Sequence, residues 1–118
     1  MSILSAFNKQ LIEFADDLIL LYPDDIDFKT FKTHIQLMQK VNARKMLNLF
    51  KEYCIPYTNE ILNKNEDFFL DNNYNQDHHN DNLIIIKKIK NCWSNINNSN
   101  RAIIWKYFEI LITLSSKS

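Results

Sequence analysis

The sequence predicts an all-α protein: a single compact antiparallel helical bundle of about five main helices plus a short helix. Three observations predict it. In the last helix, expected over 99–114, Ile104, Tyr107, Phe108, Leu111 and Leu114 recur at spacings of three and four, which places them on one helix face. In the first helix, Leu4, Phe7, Leu11, Phe14, Leu18 and Leu21 step 3, 4, 3, 4, 3. Hydrophobic residues make up 46% of 118 positions, enough for one core without disulfide or metal staples. Residues 1–118 are read as one domain, with a polar loop at about 72–82.

The first helix starts at Ser2 or Ser5 and runs to Tyr22. Pro23 stops it, because a residue preceding proline avoids the helical region. Asp24, Asp25 and Asp27 then precede the second helix, where acids complement the positive end of the helix dipole. That helix covers about 28–41, with Phe28, Phe31, Ile35 and Met38 inward and His34 at the boundary. Asn42 is expected to break the chain and cap a third helix from Ala43, with an apolar stripe of Met46, Leu47, Phe50 and Tyr53 or Cys54. Ile55-Pro56 either kinks that helix or begins another, since proline suits a first helical turn. Ile61 and Leu62 end that piece, and Glu66-Asp67-Phe68-Phe69-Leu70 forms a short helical plug. A helix over about 81–95 turns Ile85, Ile86, Ile89, Cys92, Trp93 and Ile96 inward. Ser99 caps the last helix, whose Ile103, Trp105, Ile110 and Ile112 widen the apolar face nearly all round. A helix of that kind belongs among neighbours on several sides, supplied by its own chain or by a second copy, so a homo-oligomer stays open.

Glycine is absent, and 16 asparagines cluster where the apolar rhythm stops. Asparagine is the best substitute in turns, although an AT-rich genome would also favour Asn, Lys and Ile codons. Without glycine there is no phosphate-binding loop, dinucleotide fingerprint or nucleophile elbow. Cys54 and Cys92 are read as buried free thiols. No signal peptide is expected from MSILSAFNKQ, and apolar runs such as 83–86 are far too short to span a membrane. An intracellular location follows as the expectation.

Four groupings are candidates for chemistry or binding. Asp77-His78-His79-Asn80-Asp81 holds metal-competent side chains, but adjacent histidines on a loop do not preset a coordination geometry. No metal or other cofactor is expected. The pairs Asp16-Asp17 and Asp24-Asp25 lie near helix ends and read as solvated capping acids rather than acid/base catalysts. No enzyme is expected. For partner binding the aromatics Tyr57, Phe68, Phe69 and Tyr74 are the candidates, lying where the core rhythm is weakest. Phe68 and Phe69 are also candidates to plug the bundle's open end. Formal net charge is zero, so no field of one sign steers the molecule. Nucleic-acid binding would need Arg44, Lys45, Lys51, Lys87, Lys88 and Lys90 to converge on one surface.

Phe7-Asn8, Leu11, Phe14, Asp17, Leu18, Pro23 and Asp24 resemble the start of small uncharacterised proteins encoded by nucleocytoplasmic large DNA viruses, especially mimivirus-like giant viruses. The resemblance continues through Asn42, Phe50, Tyr53, Glu66-Asp67-Phe68-Phe69, Trp93, Ser99-Asn100-Arg101 and Ile104-Trp105-Lys106-Tyr107. Members often carry Asn-Pro where this chain has Asn42-Ala43. The resemblance implies a helical fold and a viral source, with no established activity. The expected function is therefore a non-enzymatic protein-interaction module whose partner is a viral or host protein, acting in the host cytoplasm, the viral factory or the virion. The alternative is a nucleic-acid-associated factor in viral transcription, replication or packaging.

Overall fold

The cleanest periodicity in the chain becomes one of its two longest helices. In the computed structural model, which describes residues 2–70 and 84–118, α1 spans Ile3–Leu21 and α7 spans Asn98–Ser116, each of 19 residues. Between them lie α2 (Ile26–Val41), α3 (Lys45–Cys54), α4 (Thr58–Leu62), α5 (Asp67–Leu70) and α6 (Ile84–Cys92). Short 3₁₀ turns occupy Ile55–Tyr57 and Trp93–Asn95. No strand occurs among the described residues. The polar segment expected at 72–82 lies outside them.

Capping sets the helix starts. The Ser5 N–H donates to Ser2 Oγ at 3.0 Å, so α1 begins after Ser2. The Asp27 N–H donates to Asp25 Oδ1 at 3.0 Å and begins α2 two residues before the expected position. Asn97, not Ser99, caps α7: its Oδ1 accepts the Asn100 N–H at 2.9 Å. Both asparagine and serine cap well, and local spacing gave no way to choose between them. Asn42 accepts the Arg44 N–H at 3.1 Å but makes a turn, and α3 starts later than expected, at Lys45. The Ile55-Pro56 ambiguity resolves as a 3₁₀ turn with proline in its first turn, linking α3 to α4. The chain needs a left-handed backbone at one described non-glycine residue, Lys64, with φ 54°.

α1, α2 and α7 form an antiparallel set. Along α1 and α2, Tyr22 meets Phe28, Asp16 meets Lys32, and Asn8 meets Gln39. Along α1 and α7, Tyr22 meets Asn100, and Phe14 meets Tyr107 and Phe108. α7 also packs on α3 and α4, which accounts for its wide apolar face. Its Ile104, Trp105, Phe108, Leu111 and Ile112 are buried. The chain's own helices cover most of that face; Ile103, Ile110 and Leu114 remain half-buried.

Aromatic rings join these layers. Phe108 packs within 6 Å, centroid to centroid, of Phe14, Phe50, Phe68 and Phe69. Phe69 stacks on Trp93 at 4.5 Å and lies 5.0 Å from Trp105. Pairs like these add about 0.5–1.5 kcal/mol each beyond area burial. A void of about 10 Å³ among Phe7, Met46, Phe50, Ile86 and their neighbours is walled by apolar side chains, and a water there would find no hydrogen-bonding partners.

Candidate functional site

Two of the expected partner-binding aromatics, Phe68 and Phe69, are withdrawn from the surface. Phe68 and Phe69 are buried at 2% and 1% exposure. They are the plug, held there because their rings meet Phe108, Trp93 and Trp105. Tyr57 is half-buried with its ring 5.7 Å from Phe68. Tyr74 and the Asp77–Asp81 cluster lie outside the described residues.

Besides Leu20 on α1 and Leu62 on α4, the exposed large apolar side chains among the described residues lie on the outer face of α2. Ile26, Leu37 and Val41 are 72%, 57% and 83% exposed. With Thr30 and Thr33, both exposed, they follow spacings of 4, 3, 4 and 4. That line runs opposite Phe28, Phe31 and Ile35, which are buried. Its signal is present in the sequence but is masked by the stronger inward pattern of the same helix. At the N-terminal end of the stripe, residues 21–27 line an open groove of about 540 Å³.

At the end where α1 turns into α2 stand Asp24, Asp25 and Asp27. Lys88 reaches from α6 to Asp25 at 2.8 Å and Asp27 at 3.0 Å. The bond from Lys88 holds the Asp25 carboxyl below its usual range, helped by the Asp27 N–H and opposed by desolvation. The same contacts push the Lys88 ammonium up. Nearby, Arg101 donates to Glu66 at 2.8 Å and to the Trp93 carbonyl at 2.7 Å, with its guanidinium 4.9 Å from the Trp93 ring centroid. Paired acids and bases here lock helix ends together.

The opposite end is cationic. Asn8 donates to the Ala43 carbonyl at 2.9 Å, so the start of α1 lies against the α2–α3 junction. Lys9, Lys40, Arg44 and Lys45 therefore share this end. Lys51 donates to the Ser118 carbonyl at 3.3 Å, bringing Lys51 and Lys117 to the same side. Lys9, Lys40, Arg44, Lys45 and Lys117 join no ion pair found among the described residues, while Lys51 is held by the Ser118 oxygen. Of the expected basic set, Arg44 and Lys45 stand at the start of α3 and Lys51 lies further along it. Lys88 is engaged at the acidic turn, Lys90 is buried, and Lys87 is exposed on α6. Lys9, Lys40 and Lys117 join through tertiary proximity that no local spacing reveals.

The remaining reactive groups have structural surroundings. Asp16 pairs with Lys32 at 2.6 Å, and Asp17 accepts the Tyr107 hydroxyl. Burial, then the Asp17 bond, raise the Tyr107 phenol above its ordinary range. Cys54 is fully buried, and burial pushes its thiol up, away from the nucleophilic thiolate. Among the described residues no group of three or more His, Cys, Asp or Glu side chains is arranged to hold a metal ion. Among the same residues no helix is long and apolar enough to cross a membrane. Compared with protein-family models, curated proteins and solved structures, the chain matches none.

Proposed function

We propose that this protein is a non-enzymatic protein-interaction module that docks through the outer face of α2. The observation that carries the reading is the exposed line of Ile26, Leu37 and Val41 on a helix whose other face already supplies the core. Scattered surface hydrophobes are ordinary, whereas an aligned set beside a groove marks a contact surface. On the viral resemblance, the partner is a viral or host protein. Affinity capture with the wild type and with Leu37→Asp tests this. A protein retained by the wild type and lost with the variant supports it; retention indifferent to Leu37 counts against it.

A second reading rests on a separate observation. Lys9, Lys40, Arg44 and Lys45 flank the contact between Asn8 and Ala43 in a chain with zero net charge, and a polyanion such as nucleic acid would fit cations placed there. Retention on DNA that falls steeply with salt, and weakens for Arg44→Ala and Lys45→Ala, would favour it. Salt-independent retention would remove it.

A further inference from the structure

We propose that the outer face of α2 is the contact surface of a two-fold symmetric dimer of this chain, with the two α2 helices antiparallel. The inference rests on the docking role assigned to this face and names a second copy as its occupant.

The face is self-complementary in one orientation. Its apolar line begins at Ile26 beside Asp24, Asp25 and Asp27 and ends at Val41 beside Lys40 and Arg44. A two-fold axis near the middle of the helix lays Ile26 against the partner's Leu37 and Thr30 beside the partner's Thr33. The Thr33 hydroxyl already donates to the Lys29 carbonyl at 3.2 Å, so closing water off from this hydroxyl strands no donor. Val41 then meets the partner's turn between α1 and α2, a shallow open depression lined by residues 21–27, acidic at Asp24, Asp25 and Asp27. Lys40 approaches the partner's Asp24, a carboxylate with no ion pair among the described residues.

Every contact occurs twice, as an isologous interface requires. A parallel arrangement would instead stack acid on acid and base on base. Zero net charge leaves no overall repulsion between copies. α2 is about 24 Å long, and a strip of that length with the turn buries on the order of 1,000 Å² in total, near the low end for specific pairs. The dimer is therefore reversible and concentration-dependent.

Sedimentation equilibrium of the full chain over a concentration series tests this. The wild type is expected to show a monomer–dimer equilibrium that weakens as salt rises. Leu37→Asp, at a position more than half exposed, is expected to weaken it by about tenfold or more, with the helical circular-dichroism spectrum unchanged. Asp24→Lys and Lys40→Asp are each expected to weaken it roughly fivefold, and the double variant to restore it, because the swapped charges meet again across the axis. A wild type that stays monomeric throughout overturns the dimer, as does a dimer indifferent to Leu37→Asp or a double variant without recovery. A monomer that nevertheless captures another protein through Leu37 overturns only the dimer and leaves the interaction reading standing.

Discussion

Phe28, Phe31 and Ile35 on the inner face of α2 are buried against α1, α3 and α6, whereas Ile26, Leu37 and Val41 on its outer face stand in water. The two sets are chemically alike. Their energetic roles differ because hydrophobic stabilisation follows the area removed from water, not the residue type. The inner set belongs to folding. The outer set contributes nearly nothing to the isolated chain and has its value in an encounter. One helix therefore separates stability from binding, and substitutions can address each face alone.

The largest expected effect is on the inner side. Phe31→Ala should destabilise the protein by about 3–5 kcal/mol, as buried phenylalanine truncations do, read as a lower denaturant midpoint. Phe108→Ala, which removes a ring shared by four aromatic neighbours, should fall in the same range. A small loss at either position would mean the core is looser than its burial indicates. Asn97→Ala should cost about 1 kcal/mol by removing the α7 cap. Leu37→Ser, on the outer face, should leave stability within about 0.5 kcal/mol. A large loss there would show that the outer face also supports the fold.

The acidic turn adds a pH dependence. The Asp25 carboxyl is lowered by Lys88, so its contribution is present above the ordinary carboxylate value of about 3.9 and is lost as pH falls through the lowered folded value. Lys88 and Tyr107 are raised, so theirs is present below about 10 and is lost as pH climbs toward their folded values. Thermal melts across pH should show a plateau between these limits. Lys88→Met should soften the acid limb, while Tyr107 keeps an alkaline decline; unchanged limbs would mean the Lys88 contacts carry no stability.

The helices were legible in the sequence because burial and helical period coincide. The step pattern of α1 and the wide apolar face of α7 translate directly into antiparallel neighbours. Phe68 and Phe69 show the limit: their plug role and their binding role carry the same sequence signal, and only the rings around them decide. The outer line of α2 was hidden because Phe28, Phe31 and Ile35 dominate the same sixteen residues. The cationic residues were partly legible: Lys45 and Lys51 share α3, but Lys9, Lys40 and Lys117 come from three other places in the chain. The pairing of Lys88 with Asp25 and Asp27 has no local signal, because the partners lie far apart in the sequence.

The one left-handed backbone position among the described residues, Lys64, has a consequence for the denatured chain. Helices joined by turns that need no other positive φ among the described residues can be built without glycine, and the chain has none. Each non-glycine residue in a compatible position restricts the unfolded ensemble, by about 0.4–1 kcal/mol relative to glycine. Part of what keeps this small protein folded is thus the narrowness of the alternatives open to it.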